Sequence, residues 1–389
     1  MKVTLGLEAA LDEAPQAIRE SRGFGLLCNQ ASVDDEFRHA ADLIHSRFPG
    51  KLKALFSPQH GLWSAQQDNM IETAHGVHPR LGVRVHSLYS ETRRPTQQML
   101  DGLDLFVIDL QDVGTRVYTW IWTVVHCMEA CAQKGIPVLV LDRPNPIGGE
   151  VAEGPLLELS FASFVGLAPI PMRHGLTLGE LARCCNDLLG IGADVRVQPM
   201  RGWTRSMLWP DTGRAWIPPS PNLPRYEGVL VYPGQVLLEG TNLSEGRGTT
   251  APFEQWGAPW LDPWQLLPLL APRALHGVAL RPIEFEPTFH KFYGQACKGL
   301  WVHPTDARAF RPYRTTLALL RAVQELWPQE SQWRQPPYEY EKELMPIDIL
   351  CGNATTRQWI EDEGPWTQLD EHANAPDTWW PSVRRFLLY

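Results

Sequence analysis

Five short apolar runs recur through the first half of the chain, and most of them are separated by helix-like or turn-bounded segments. The runs are GFGLLCNQ (23–30), LKALFSP (52–58), VRVHSLY (83–89), LDLFVIDL (103–110) and IPVLVLD (136–142). Runs of this kind are typical of strands buried on both faces. Their alternation with helices predicts an α/β fold with a parallel sheet. The clearest unit is the fourth run, a helix from about Tyr118 to Lys134, and the fifth run.

Polar side chains follow three of these predicted strands. They are Gln59 and His60 after the second run, Gln111, Asp112 and Arg116 after the fourth, and Arg143 and Asn145 after the fifth. Ligands of open α/β sheets bind at the edge formed by the carboxyl ends of the strands, so we expect a site there. No GxGxxG follows a strand and no GxxxxGK[ST] occurs, so the sequence lacks the fingerprints of nucleotide sites and we expect no cofactor.

A proline-rich passage divides the chain. Prolines at 218, 219, 221 and 224 cannot continue a helix or a central strand, which indicates a domain linker. We therefore predict an α/β domain at 1–228 and a smaller α+β domain at 229–389. In the second domain the predicted strands are VLVYPGQVLL (229–238), VALRPIEFEPTF (278–289) and KGLWVHPTD (298–306), and helices are predicted near 262–270 and 312–326.

Composition narrows the class of ligand. The chain has 389 residues, a net charge of −9 and a pI of about 5.8, and its basic residues form no cluster suited to nucleic acid or an anionic membrane. There is no apolar stretch of 18 residues and no secretory signal block at the amino terminus, so we expect a cytoplasmic protein. Seven cysteines without a CxxC fit a reducing compartment, and the absence of HxxxH and HxH argues against a metal site. A neutral or anionic small molecule fits best.

The segment EGTNLSEGRGTTAPFE (239–254) is polar and glycine-rich between two apolar stretches. Its glycines let the backbone approach a ligand, and its carboxylates, amide and arginine can hydrogen-bond a polyol. An ordinary polar surface loop is the alternative, but such loops seldom lie between two firm apolar runs. We therefore predict that this loop binds a ligand.

Nine motifs together resemble the exo-β-N-acetylmuramidase family. They are LLCNQAS (26–32), FSPQHGLW (56–63), SLYSETRRPT (87–96), IDLQDVGTRVYTW (108–120), LDRPNPIGG (141–149), PMRHGLTLGELA (171–182), PSPNLP (219–224), the loop at 239–254 and GLWVHPTD (299–306). They run in the family's order over nearly the whole chain. The resemblance implies a Rossmann-like first domain, a smaller second domain, and a cleft between them that releases terminal N-acetylmuramic acid from peptidoglycan fragments, as in peptidoglycan recycling.

The chain departs from the family at one position. Family members often read SPEHG where this chain has Gln59 before His60, and the glutamate of that motif is a favoured catalytic candidate. Glutamine cannot transfer a proton, and Glu72 is the nearest replacement in sequence. Gln59 therefore leaves open a sugar or muropeptide binder that has lost the catalytic acid. A third hypothesis is a non-hydrolytic α/β enzyme acting on a phosphorylated or nucleotide-linked sugar.

Glycoside hydrolysis usually requires two carboxyl groups. The candidates are Glu72, Asp112, Glu239, Glu245 and Glu254, with His60 as a further catalytic candidate. Asp112 could instead cap a helix, and Glu254 could anchor its loop. Arg116 and Arg247 would suit the lactyl carboxylate of muramic acid; the alternative for each is a pair with a neighbouring glutamate. The predicted substrate-binding residues are Asn29, Gln59, Gln111, Arg116, Tyr118, Arg143, Asn145, Asn242, Ser244, Glu245, Arg247 and Glu254.

Overall fold

The computed structural model describes residues 2–67, 71–273 and 275–389. Within these ranges, seven strands of the first half form one sheet: β1 (Phe24–Cys28), β2 (Leu52–Ser57), β3 (Gly76–Val77), β4 (Arg84–Ser87), β5 (Leu105–Asp109), β6 (Val138–Leu141) and β7 (Val195–Gln198). The sheet order is β3-β4-β2-β1-β5-β6-β7, and each neighbouring pair is parallel except β3 and β4. The predicted Rossmann-like α/β domain is confirmed.

Helices cover both faces of this sheet. They are α1 (Gly6–Asp12), α2 (Gln16–Glu20), α3 (Ala40–Arg47), α4 (Trp120–Lys134) and α5 (Leu178–Leu188). Successive strand residues point to opposite faces. Leu26 and Leu55 therefore pack in one apolar cluster with α1 and α3, whereas Leu27 and Phe56 pack in the other with α4 and α5.

The predicted crossover from β5 through α4 to β6 is present. Helix α4 ends at Gly135, whose φ of 66° is left-handed and lets the chain turn directly into β6. The strand order changes direction between β1 and β5, which are neighbours in the sheet. Such a switch point leaves a crevice at the carboxyl ends of the strands, where a ligand can bind.

The second half forms a smaller α+β unit, also as predicted. Its antiparallel sheet has the order β8-β10-β9, with β8 (Gln255–Ala258), β9 (Val278–Phe285) and β10 (Cys297–Pro304). Its helices are α6 (Tyr226–Gln235), α7 (Pro263–Leu270), α8 (Pro312–Leu326), α9 (Pro346–Cys351), α10 (Thr355–Glu361), α11 (Leu369–Ala373) and α12 (Trp379–Val383). The proposed domain boundary after residue 228 falls in the first turn of α6.

The strand predicted at 229–238 is wrong, because α6 and a 3-10 helix from Val236 to Gly240 occupy this segment. Residues 228–235 are all buried, so the run has no polar face whose period could separate a helix from a strand. Gly234 allows α6 to pack closely on α8, since a Cβ there would lie 2.0 Å from the carbonyl oxygen of Pro312.

The two units share one apolar core. Phe253, Trp256 and Leu300 of the second unit belong to the same buried cluster as Ile108 and Trp120 of the first. Side chains from both units can therefore be held in fixed positions around a common cleft. Across the described ranges, no helix is both long enough and apolar enough to cross a bilayer.

Candidate active site

A pocket lies between the two units. Gln59 follows β2 with His60, and Tyr118 and Thr119 precede α4, so these residues come from the carboxyl edge of the large sheet. The second unit contributes Glu239, Arg247, Phe253, Tyr338 and Glu339, and the remaining lining residues are Val117, Trp120, Val165, Ser220, Asn222, Leu223 and Tyr232. The charged and amide side chains of the lining are at most 5% exposed, so a ligand here would be largely shielded from water.

Glu239 has both carboxylate oxygens engaged. Arg247 Nη2 donates to Oε1 at 2.6 Å, and Tyr338 Oη donates to Oε2 at 2.8 Å. Burial, with the neighbouring Glu239, raises the pKa of Tyr338 well above its usual range, so its hydroxyl keeps the proton that it donates. A buried cation and a hydroxyl donor therefore fix the position of the Glu239 carboxyl group.

Glu245 is the second carboxylate that pairs with Arg247. Arg247 Nε lies 3.2 Å from Glu245 Oε1, while Lys291 Nζ donates to Oε2 at 2.9 Å and His290 Nδ1 lies 3.2 Å from Oε1. Although burial alone would raise it, Lys291, His290 and Arg247 hold the pKa of the Glu245 carboxyl well below its usual range. Glu245 is thus a permanent anion that positions Arg247, and it lies outside the pocket lining.

Glu339 was not among the residues predicted from sequence. It is 3% exposed and lines the pocket, and within the described ranges it accepts one side-chain hydrogen bond, from Tyr89 Oη at 3.4 Å. No cation of the described residues lies within ion-pair distance of it. Burial, together with the charge of Glu239, raises the pKa of the Glu339 carboxyl to about 7. Glu239 is therefore paired with a buried cation, while Glu339 can carry a proton near neutral pH.

The backbone around Glu339 is strained. Tyr338 and Glu341 exchange both backbone hydrogen bonds at 2.9 Å, and the two residues between them, Glu339 and Tyr340, have φ values of 43° and 70°. A two-residue hairpin turn of this type strongly favours Asn-Gly, because a left-handed φ costs most other residues conformational free energy. Strain of this kind concentrates at functional sites.

Gln59 and His60 lie in the pocket, as predicted from sequence. Thr119 Oγ1 donates to Gln59 Oε1 at 2.8 Å. The φ of His60 is 69°, and its Nδ1 donates to the carbonyl oxygen of Gln66 at 2.7 Å, because a carbonyl can only accept. Gln59 supplies a neutral amide to the pocket, which can hydrogen-bond a sugar but cannot transfer its proton.

Aromatic side chains form the apolar part of the pocket. The rings of Tyr118 and Trp120 are 4.7 Å apart, and Tyr232 lies edge-on to both Tyr118, at 6.0 Å, and Phe253, at 4.9 Å. Aromatic faces pack well against the apolar face of a sugar ring, while the surrounding polar groups bind its hydroxyls.

Glu72, the predicted replacement for the family's glutamate, lies on the surface. Its side chain is 58% exposed and its Oε1 is 3.4 Å from Arg93 Nη2. The guanidinium of Arg93 lies over the rings of Tyr89 and Tyr340, at 4.3 and 4.5 Å from their centroids. Glu72 is thus separated from Glu339 by this stack, and its position does not favour a catalytic role.

Asp112 and Arg116 lie behind the pocket. Asp112 Oδ2 accepts from Gly114 N at 2.7 Å and is 3.5 Å from His174 Nε2, so the carboxylate holds the turn after β5. Arg116 is completely buried and donates to the carbonyl oxygens of Pro155, Ile170 and Leu350 at 2.6 to 3.3 Å. Its guanidinium is enclosed by the protein, so its position does not favour binding of a substrate carboxylate.

The remaining predicted residues serve the framework or a second cavity. Asn29 Nδ2 donates to the carbonyl of Pro219, Asn145 Nδ2 to Leu176, and Asn242 Nδ2 to Glu330. Ser244 Oγ accepts from Gly246 N, and Glu254 forms a bidentate pair with Arg225 at 2.5 and 3.0 Å. Gln111 and Arg143 line a separate cavity of about 270 Å³, where Arg143 is paired with Asp109. The positions of these residues favour structural roles.

Sequence reasoning missed Tyr338 and Glu339. The passage PPYEYEKE (336–343) alternates tyrosine and glutamate after two prolines, a composition that an exposed turn would share. Nothing in that pattern indicates burial, since the pocket forms only when this turn packs against residues more than 200 positions earlier. Within the described ranges, no group of three or more His, Cys, Asp or Glu side chains could hold a metal ion.

Comparisons with known proteins place this geometry in context. Residues 24–227 match the family model for exo-beta-N-acetylmuramidase NamZ, N-terminal, and residues 230–389 match its C-terminal counterpart. The chain is 40% identical over 361 residues to the peptidoglycan beta-N-acetylmuramidase NamZ of Bacillus subtilis (strain 168), covering 93% of this chain and 85% of that protein. It is also similar to two crystal structures of DUF1343 family proteins from Bacteroides fragilis, with TM-scores of 0.88 and 0.75 at 30% and 26% identity; each alignment covers 100% of this chain and 99% of the other.

Proposed function

The chain belongs to the exo-β-N-acetylmuramidase NamZ family, and from this premise we propose that it is an exo-acting glycoside hydrolase that releases terminal N-acetylmuramic acid from peptidoglycan-derived fragments. The observation that carries the proposal is that both family models match, and that the two matched halves meet at a pocket containing two buried glutamates. Two carboxyl groups in one pocket are what glycoside hydrolysis usually requires.

The burial of the pocket lining supports exo action. Its polar lining residues are largely buried, so the pocket suits one terminal sugar better than the middle of a polymer. The aromatic side chains of Tyr118, Tyr232 and Phe253 provide apolar contact for the sugar ring, and the amides of Gln59 and Asn222 provide hydrogen bonds.

The two carboxyl groups also favour an enzyme over a binder. Gln59 removes one possible proton donor, but Glu239 and Glu339 remain in the pocket with different surroundings. A protein that only bound the sugar would gain little from two buried acidic groups, because burying a carboxyl group costs free energy.

We place the enzyme in the cytoplasm, where the products of cell-wall turnover would be recycled. The seven cysteines are free and buried, which fits a reducing compartment. The substrate is a carbohydrate fragment small enough to present its terminal sugar to the pocket.

Assay of the purified protein on a chromogenic β-N-acetylmuramide and on the matching N-acetylglucosaminide tests this function. We expect release from the muramide and much slower release from the glucosaminide. Glu239→Gln should lower kcat on the muramide by at least about a hundredfold, the scale of loss for a group that acts in the transition state. A wild-type protein that cleaves neither compound, or cleaves both equally, would contradict the proposed substrate.

A further inference from the structure

The two glutamates of the pocket, Glu239 and Glu339, differ in the hydrogen-bond and ion-pair partners of their carboxylate oxygens. Glu239 is held by Arg247 and by Tyr338, at 2.6 and 2.8 Å. Glu339 accepts a hydrogen bond of 3.4 Å from Tyr89 Oη, and none of the Lys, Arg or His side chains that the structure describes forms an ion pair with it. We propose that Glu339 is the general acid–base residue of the glycosidase reaction; this rests on the proposed function.

The protonation states follow from these surroundings. Glu239 is paired with the buried Arg247, and the charge of Glu239 makes a second buried anion at Glu339 unfavourable. Glu339 is 3% exposed, so water does little to stabilise its charged form. Burial and the charge of Glu239 raise the pKa of Glu339 to about 7, although Arg247, the Tyr89 hydroxyl and Arg334 act to lower it. A proton donor at neutral pH should have a pKa in this range.

The chemical step balances with these two groups and water. The proton of Glu339 moves to the glycosidic oxygen as the bond between that oxygen and C1 of muramic acid breaks, and the leaving alcohol departs. Ionised Glu239 stabilises the positive charge that develops at the sugar ring. The oxygen of a water molecule then bonds to C1 and one of its protons returns to Glu339, which ends the cycle as it began.

Other acidic groups are less well placed for this role. Glu72 is 58% exposed, and Asp112 caps the turn at Gly114 behind the pocket. Glu245 is surrounded by Lys291, His290 and Arg247, which hold it as an anion. Among the carboxyl groups of the described residues, Glu339 is the one that lines the pocket without a cationic partner.

The strained turn supports the same assignment. Glu339 has a φ of 43°, a conformation that glycine or asparagine would adopt at lower cost. The turn directs residue 339 into the pocket and keeps Tyr340, which follows it, 44% exposed at the surface. A costly backbone conformation at a buried acid is expected where the position of that acid matters for function.

The test compares Glu339→Gln with wild type on two muramic acid substrates that differ in the leaving group. One is the disaccharide of N-acetylmuramic acid and N-acetylglucosamine, whose leaving alcohol needs a proton, and the other carries 2,4-dinitrophenolate, which does not. We expect kcat/KM to fall by about a thousandfold or more on the disaccharide and by about tenfold or less on the aryl muramide. On the disaccharide, the wild-type kcat/KM should also decline above about pH 7.

A second variant and a control make the test independent of one substitution. Tyr89→Phe removes the hydrogen bond that lowers the pKa of Glu339, so the decline of kcat/KM should move to higher pH. Glu343→Gln changes an exposed glutamate four residues further along and should behave as wild type.

The outcomes separate the two proposals. A wild-type protein that releases no muramic acid overturns the proposed function. An active wild-type protein in which Glu339→Gln loses the same factor on both substrates, or in which Tyr89→Phe leaves the pH profile unmoved, overturns the assignment of Glu339 alone.

Discussion

At the scale of single residues, one buried arginine is paired with two glutamates, of which one lines the pocket. Arg247 lies between Glu239 and Glu245, at 2.6 and 3.2 Å, and its guanidinium is 5.1 Å from the ring centroid of Phe253. Although burial alone would lower it, the two carboxylates raise the pKa of Arg247 above its ordinary value. The charge of Arg247 is thus already matched within the protein, so it is poorly suited to bind a lactyl carboxylate.

Arg247→Ala tests this role. The substitution leaves Glu239 without its buried cation, so we expect kcat on the muramide to fall by at least about a hundredfold and the free energy of unfolding to drop by about 3–5 kcal/mol. Steady-state kinetics and urea unfolding measure both. If KM alone rises while kcat and stability stay unchanged, Arg247 binds the lactyl group, as the sequence suggested.

The pKa of Glu339 also makes stability depend on pH. This pKa is about 7 in the folded protein, against about 4.3 in an unfolded chain. The folded state therefore holds the proton more tightly, and that stabilisation is complete below about pH 4 and lost as pH rises through 7. Glu339→Gln should be more stable than wild type by up to about 4 kcal/mol at pH 8.5, and the difference should be much smaller at pH 5. Urea unfolding at both pH values measures this; an equal difference at both would contradict the shifted pKa.

At the scale of elements, the glycine-rich loop places Arg247 by close backbone contact. Gly248 has a φ of 80°, and a Cβ there would lie 2.6 Å from the carbonyl oxygen of Phe289. Gly294 has a similar φ of 68° but open space around it. The two positions therefore separate the cost of the left-handed backbone from the cost of the contact.

We expect Gly294→Ala to cost about 1 kcal/mol of unfolding free energy, for the backbone conformation alone. Gly248→Ala should cost about 2–3 kcal/mol and should also lower kcat, because the clash shifts the neighbouring Arg247. Urea unfolding and kinetics of both variants check this. Equal stability losses, with full activity in Gly248→Ala, would mean that the loop does not position the site.

Elements with clear periodicity or firm end signals were predictable from sequence. Helix α4 was predicted because Gly135 ends it, and the loop at 239–254 was singled out because its glycines and charges stand between apolar stretches. Helix α6 was mistaken for a strand because all its faces are buried. Glu339 was missed because it occupies a turn position where glycine or asparagine is the expected residue.

At the scale of the whole molecule, the two units are joined by polar contacts as well as by the shared core. Arg116 of the first unit reaches Leu350 in α9 of the second, and Arg225 pairs with Glu254 across the start of α6. Burial lowers the pKa of Arg116 to about 10, so it remains charged at neutral pH and its bonds to carbonyl oxygens are charge-assisted. No sequence pattern shows such a contact, because its partners are backbone atoms up to 234 residues away.

Arg116→Met should therefore lower the stability of the fold and leave substrate binding unchanged. Three carbonyl oxygens lose their donor, so we expect the free energy of unfolding to fall by 3 kcal/mol or more, from about 1.5–3 kcal/mol for each charge-assisted bond, with KM for the muramide unchanged. Arg385→Met, which alters an arginine whose side chain is 66% exposed, is the matched control and should cost little. If KM rises while the free energy of unfolding is unchanged, Arg116 binds the substrate.

The position of the terminal sugar relative to Glu339 shows whether this residue can donate the proton. We would determine the crystal structure of Glu339→Gln with the intact disaccharide and measure the distance from the side chain at position 339 to the glycosidic oxygen. We expect the muramic acid ring in the pocket between the two units and a distance of roughly 2.6–3.2 Å, the range in which a proton can be transferred. A ring bound elsewhere, or a glycosidic oxygen facing Glu72 or Asp112 with position 339 out of reach, would contradict the proposed role of Glu339.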